Sequence, residues 1–504
     1  MNDWSHGYDV SEGYTYGAYR EMAPDWIDLC ARIAGYVPRQ RPALSGFRYL
    51  ELGCGQGMGL CLLAAANPQA EFLGVDFHPG HIAHAESVAQ AAGLTNITFS
   101  EADFTDLAAN WPGDFGTFDY VALHGVYSWV PPTVRDALIT CLHQATHPGS
   151  LVYNSYNCQP GWLGTIPFQH ITRQLKKSTG LSGAAVFEES TRLFDGLRAG
   201  NAAIFQILPG LKARVESVKA RNSSYLIQEY LHDSWNPLWH SEVVEELGRA
   251  KLSYIGSATM AETMLPHMLP PPLREAILSQ PNDGLRQDLQ DIVINQSFRR
   301  DIFCRGPRRG FGPGFEAGDS RLHLLARPTT GDTLTIETAF GELSLQRPAF
   351  AAILNGFEAA GRRIETFGPF PATPGPGLPD AVSILILLLH AGVLGVGAVE
   401  PMSADAAQRL NAVIARDASG GAPYDHIAAA ALGTAVATTT SELMMLDAWL
   451  DSSGRADAAA LTRGVADRLA KLDRKAEHHG KLPDPTAFLE QTLPRWRALG
   501  ALSS

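Results

Sequence analysis

Short apolar runs alternate with stretches of helical length through the first third of the chain. The run at 47–52 carries Glu51 near its end. Gly53, Gly55 and Gly57 follow it, and residues 58–66 then read as a helix. A second run, 71–76, ends in Asp76, and Pro79 opens a helix at its first turn. Ile97, Thr98 and Phe99 form a third run, 118–123 a fourth, and 151–153 a fifth, entered through Pro148 and Gly149. This alternation over 46–157 predicts a parallel α/β sheet with helices on both faces.

The later pattern is different. Residues 166–220 read as helices with polar turns. Ser241 is a plausible N-cap for a helix over 241–250, which leads into a strand at 252–256, and a helical tail is expected to about Phe303. Arg299, Arg300 and the Gly-, Pro- and Arg-rich stretch 305–314 read as linker. Beyond it, short strands at 322–326, 333–336 and 343–345 precede helices at about 348–360, 379–390, 404–416, 439–450 and 456–472, an α+β domain of winged-helix type. That domain is expected to fold apart from the first half. Before the first strand lie Tyr8, Tyr14, Tyr16, Tyr19 and Trp26, which either pack on the sheet or form an aromatic lid.

A strand, a glycine-rich turn and a helix in this order make a site for a nucleotide-like ligand. Glycine permits φ > 0 and close approach of the ligand to the main chain. An acid at the strand end suits an ammonium and would repel a pyrophosphate. Asp76, at the end of the second strand, would accept from both hydroxyls of a ribose and reject a 2′-phosphate.

The spacing of Glu51, Gly53, Gly55 and Gly57 resembles motif I of class I S-adenosylmethionine (SAM) methyltransferases. The resemblance implies a Rossmann-like sheet and SAM as cofactor. It implies cofactor contacts from Glu51, Gly53, Cys54, Gly55, Gly57, Asp76, Phe77, Asp103, Phe104 and His124, with Asp103 taking the adenine amino group and Phe104 against the ring. It also makes the 241–256 helix–strand pair the closing edge of the sheet, and 166–220 an insertion over the substrate side. Residues 124–131, 153–156 with Pro160, Gly161 and Trp162, and Glu229, Tyr230 and Leu231 with Trp235 and Pro237 resemble one bacterial group more closely. Its members join a SAM domain to a methyltransferase regulatory domain, and some add a winged-helix-like C-terminal domain. The group includes lysine methyltransferases that modify outer-membrane proteins. The resemblance covers about 1–305, and over 315–504 it rests on length and coarse pattern. The divisions it implies are 1–165 for the SAM core with its aromatic lid, 166–305 for the insertion and regulatory region including 225–258, and 315–504 for the C-terminal domain.

In open α/β sheets ligands sit beyond the carboxyl ends of the strands, so the loop from His124 to Pro132 would lie beside the methyl group. Tyr127 and Trp129 offer rings for a cationic donor and an amine acceptor, or else anchor the loop. His124 is a general base or a structural hydrogen-bond partner, and Tyr156 belongs to the opposite wall. These four are the candidate catalytic residues. An Asn-Pro-Pro-aromatic tetrapeptide is absent, which argues against glutamine or nucleobase methylation. His78, His81 and His84 resemble a metal cluster, but positions six apart on a helix drift off one face, so no metal is expected. The expected reaction is methylation of a protein lysine, and the alternative is a small-molecule O- or N-methyltransferase.

Composition narrows this further. At 504 residues, 45% hydrophobic and 18% charged, two or three globular domains are expected. A net charge of −12 opposes electrostatic nucleic-acid binding. Six cysteines without paired spacing suggest a reduced, cytoplasmic protein, and the absence of CxxxCxxC excludes the usual radical use of SAM. The first residues lack the basic start and apolar core of a signal peptide. Residues 381–399 are uncharged and apolar, but His390 and three glycines interrupt them, which predicts a buried helix rather than a membrane span.

Overall fold

The five apolar runs become β1 (Arg48–Leu52), β2 (Glu71–Asp76), β3 (Ile97–Glu101), β4 (Phe118–Leu123) and β5 (Thr146–Asn157). Two later strands, β6 (Leu252–Ser257) and β7 (Phe298–Arg305), join them in one sheet of order β3-β2-β1-β4-β5-β7-β6. β1 to β5 are parallel, and β7 runs antiparallel to both β5 and β6. The order reverses between β1 and β4, and a crevice opens at the strand ends at such a point. The computed structural model describes residues 16–39, 46–181, 183–219, 226–227, 230–232, 234–310, 320–325, 333–359, 363–364, 381–398, 402–472 and 484–503.

The central strands β1, β2 and β4 are covered on both faces and read as near-continuous apolar runs. α1 (Pro24–Ile33), α2 (Met58–Ala66) and α3 (Pro79–Ala91) pack on one face, and α4 (Phe104–Ala109) and α5 (Pro132–Ala145) on the other. Alternation along β1 sends Tyr49 to the first face and Leu50 and Leu52 to the second. Each such side chain contributes about 1.5–3 kcal/mol on full burial. Pro79 begins α3, and the His78 ring caps it by accepting from Gly80 N–H. α6 (Ile166–Thr179), α7 (Ala184–Ala199) and α8 (Pro209–Lys219) form the expected helical insertion around Phe168, Phe187, Phe194 and Leu211. α9 (His240–Gly248) starts before Ser241, which therefore sits in the first turn rather than at the cap. The Glu242 carboxylate instead accepts from Trp239 N–H.

The helical tail expected up to Phe303 stops earlier. α10 (Pro271–Leu278) and α11 (Asp283–Ile294) are followed by β7, which takes the segment read as linker into the middle of the sheet edge. Arg299 is buried and pairs with Asp291 at 2.6 Å and Asp301 at 3.0 Å. Burial alone would raise the Asp301 carboxyl, but Arg299 and His240 hold it well below the usual carboxylate range. Burial outweighs Arg299 at Asp291 and pushes it up to about 7.

The C-terminal part contains β8 (Ser320–Leu324), the hairpin β9 (Thr333–Thr338) and β10 (Gly341–Gln346), α12 (Arg347–Ala359), β11 (Arg363–Ile364), α13 (Ala381–His390) and β12 (Leu394–Ala398). After these come α14 (Asp405–Ser419), the hairpin β13 (His426–Ala429) and β14 (Thr434–Ala437), α15 (Thr440–Asp451) and α16 (Ala458–Lys471). α13 is the buried helix expected from 381–399, and its last carbonyls, Leu389 and His390, accept from the Arg20 guanidinium. Among the described residues no helix is long and apolar enough to cross a membrane.

This part shares an apolar core with the first half, against the expectation of a separate core. Leu385, Leu410, Ile414, Ala428 and Leu446 belong to the same apolar cluster as Tyr49, Leu60 and Leu62. α2 packs directly on α14, β13 and β14. A Gly- and Pro-rich connection reports local chain properties, not the apolar surface that its flanks bury together, and residues 311–314 of the expected linker lie outside the described residues. All six cysteines are free thiols, five of them buried.

Candidate active site

The glycine turn is required by its surroundings. Gly53 has φ +81°, and a Cβ there would stand 2.5 Å from Val126 Cγ2. Gly57, at φ +72°, begins α2, and a Cβ would stand 2.3 Å from the Ala85 methyl. Asp76 at the end of β2 ties this turn to the next one: its carboxylate accepts from Gly55 N–H and His78 N–H, both at 2.9 Å, and lies 3.2 Å from His81 Nδ1.

Two cavities meet at the strand-order reversal, and both are lined by Gly53 and His124. The first, about 580 Å³, includes Tyr16, Tyr19, Glu51, Cys54 and Gln56 in its wall. The second, about 720 Å³, is walled by Gly55, Asp76, Phe77, Asp103, Phe104, Val126, Trp129 and Val130. The candidate cofactor residues are therefore brought together from four strand ends, with an acid in the first cavity and acids and phenyl rings in the second.

Glu51 is buried, and its Oε2 has no hydrogen-bond partner. Burial, then the charge of Asp76, pushes its carboxyl up to about 8. A buried carboxylate without a partner is costly, and an ammonium placed against it would relieve that cost. Asp103 caps α4 by accepting from Thr105 N–H at 2.7 Å, and it also contacts the Thr105 hydroxyl. Burial pushes the Cys54 thiol well above its ordinary range, so it offers no thiolate. The donor set thus fits a ligand with an ammonium at one end, a diol in the middle and a flat ring at the other end.

His124 sits at the junction. Its Nδ1 lies 3.0 Å from both the Tyr153 hydroxyl and Ser155 Oγ, and the Tyr19 ring stacks on it at 3.8 Å. Burial, and then the charge of Arg300, lowers its pKa to about 3. The imidazole is therefore neutral and a poor proton acceptor.

Trp129 lines the second cavity, but Tyr127 and Tyr156 line neither. Tyr127 is fully buried and donates to Glu246 Oε2 at 2.5 Å. Tyr156 donates to Asp301 at 2.6 Å inside the Arg299 cluster. This corrects the expectation that they form walls of the acceptor site. The reason is strand alternation: Tyr153 and Tyr156 are three apart on β5 and face opposite sides of the sheet. Tyr153, the one beside His124, belonged to the expected wall segment but not to the catalytic candidates, and the period of two separates it from Tyr156.

The aromatic N-terminal segment splits between its two readings. Tyr16 and Tyr19 wall the first cavity, whereas Trp26 is buried and donates Nε1–H to Ala258 O at 2.8 Å. Tyr8 and Tyr14 lie outside the described residues. The His78 and His81 rings stack at 4.2 Å, while His84 turns away to Gln56 O and Tyr424. Two further wall residues of the first cavity, Thr434 and Ala435, come from β14 and had no signal in the sequence.

Residues 43–182 match a family described as methyltransferase domain, and residues 222–305 match one described as predicted methyltransferase regulatory domain. The chain is 30% identical over 395 residues to the uncharacterized protein sll1526 of Synechocystis sp., covering 77% of this chain and 76% of that protein. It is 28% identical over 269 residues to the uncharacterized protein RP789 of Rickettsia prowazekii, spanning 47% of that relative. The fold is that of PKMT2 from Rickettsia typhi, solved in complex with AdoHcy, with a TM-score of 0.67 at 19% identity over 96% of this chain and 97% of the other. On the glycine turn, the strand order and these matches, the chain belongs to the class I SAM-dependent methyltransferases that carry a methyltransferase regulatory domain.

Proposed function

We propose that the chain methylates the Nε atom of lysine side chains in a protein. In this reading Glu51 holds the ammonium of the methionine tail, Asp76 the ribose diol, and Asp103 with Phe77 and Phe104 the adenine. The backbone at Gly53, Cys54, Gly55 and Gly57 lies along the ligand. Bound SAM supplies an electrophilic methyl carbon on a sulfonium.

The observation that carries the reading is the junction between the cavities. Gly53 lets the ligand pass, and the neutral His124 ring lies stacked between aromatic neighbours. A histidine held near a pKa of 3 takes no proton from an alcohol at neutral pH. An amine needs no base in the site once it has shed its proton to solvent. Desolvation among Tyr19, Trp129 and His124 favours that neutral form, and the rings then favour the alkylated cation. The resemblance of residues 124–131 and of 153–156 with Pro160, Gly161 and Trp162 to a group that includes bacterial lysine methyltransferases, and the full-length likeness to PKMT2, support a protein acceptor.

The test is incubation of the purified chain with a bacterial lysate and methyl-labelled SAM, followed by hydrolysis of the protein fraction. Label recovered as methyllysine is the expected result. Label confined to the low-molecular-weight fraction would sink the protein reading and favour a small-molecule acceptor.

A further inference from the structure

We propose that the C-terminal half closes the amino-acid end of the cofactor site and makes the chain select ligands that carry the methionine tail. Thr434 acts in the cavity wall and Tyr424 behind the glycine turn. The proposal rests on the cofactor reading above and assigns it a part of the chain more than 300 residues away in sequence.

The methionine tail presents an ammonium and a carboxylate. Glu51 suits the first and repels the second. None of the described residues lining the first cavity is Lys or Arg, so the carboxylate must be met by neutral donors. The side-chain donors in the wall include the hydroxyls of Tyr16, Tyr19 and Thr434, the Gln56 amide and the His124 ring, and of these Thr434 alone comes from the C-terminal half. The Tyr19 ring stacks on His124 and the Tyr16 ring packs against His84 and Tyr424, contacts that fix the rings and leave both hydroxyls as donors beside Thr434. Thr434 is buried, short and β-branched, so its hydroxyl is held in few orientations.

Two tethers hold this wall in place. Asn67, just past α2, donates from Nδ2 to Leu63 O and to Gly433 O, both at 2.8 Å, which pins the residue before Thr434 to the cofactor helix. Gly433 has φ +58°, and a Cβ there would stand 3.0 Å from Asp25 Oδ2 and 3.1 Å from Asn67 Oδ1, so the turn admits little else. In the second tether the Tyr424 hydroxyl lies 3.1 Å from His84 Nε2, and His84 Nδ1 lies 2.7 Å from the carbonyl of Gln56, inside the glycine turn. The C-terminal half thus touches the turn from behind and the cavity from the side.

The test is calorimetric titration of the full chain with two ligands, AdoHcy and 5′-methylthioadenosine, which shares the adenosine half but lacks the amino-acid tail. Thr434→Val and Tyr424→Phe should each weaken AdoHcy about three- to tenfold, the weight of one hydrogen bond, and leave 5′-methylthioadenosine within about twofold. Thr434→Ser should restore AdoHcy binding. Equal losses for both ligands, or no loss for either, would overturn the proposal. Asp76→Ala serves as the control for the underlying reading. It should weaken both ligands, and if it weakens neither, the cofactor assignment fails rather than the role of the C-terminal half.

Discussion

Glu51 is the residue whose state depends most on its ligand. Its folded pKa of about 8 lies above the ordinary glutamate value of about 4.3, so folding favours the protonated form. The associated stability is present below about pH 4.3 and is lost as pH rises through about 8. Its size is on the order of 3–5 kcal/mol, and in thermal melts of the ligand-free protein this loss should appear as a decline across that window. Glu51→Gln should flatten the decline, and so should saturating AdoHcy, whose ammonium stabilises the ionised form. A decline of the same size in Glu51→Gln would show that other groups cause it. The strand ends and glycine turn that carry Glu51, the glycines and Asp76 were legible in the sequence because an apolar run followed by Gly or an acid is a local signal. Tyr127 was not, because the direction a loop side chain takes is settled by the packing around it, whereas Tyr156 was misjudged although the period of two puts it on the face opposite Tyr153. Thr434 gave no signal, since nothing local connects it to a turn at 53–57.

At the scale of elements, β7 is the informative case. Phe298–Arg305 carries four charged residues and reads as the end of a helical tail with Arg299 and Arg300 as linker, yet the strand pairs along its length with β5 and β6. The charges are tolerated because Arg299 lies between Asp291 and Asp301, and Tyr156, His240 and Gln287 supply further hydrogen bonds. A buried ion pair thus hides a strand from any reading by hydrophobic alternation. Arg299→Met should cost about 3–5 kcal/mol in urea unfolding, since it leaves two carboxylates buried together without their cation. A change below about 1 kcal/mol would mean that the cluster is solvated. β1, β2, β4 and α13 were legible for the opposite reason: strands and helices buried on every side carry near-continuous apolar runs.

At the scale of the molecule, one apolar core runs from α1 and α2 through α13, α14 and α15. A fragment ending near residue 305 would expose the face of α2 that packs on α14 and the β13–β14 hairpin, and apolar surface of that kind drives aggregation. Such a fragment should be insoluble, as read by its partition after lysis; a soluble fragment that binds AdoHcy would show that the first half is self-sufficient. The shared core also explains why the far end of the chain reaches the cofactor cavity, which no sequence motif announces. The most direct test of the whole account is the single-turnover rate of methyl transfer as a function of pH at saturating SAM, in the wild type and in His124→Asn. The account predicts a rate that climbs as the acceptor lysine loses its proton, below the free-side-chain value of about 10.4 because the site desolvates it, with a profile of the same shape in His124→Asn. A step near pH 6 to 7 in the wild type that disappears in His124→Asn would contradict it, and would make His124 the base for an oxygen acceptor.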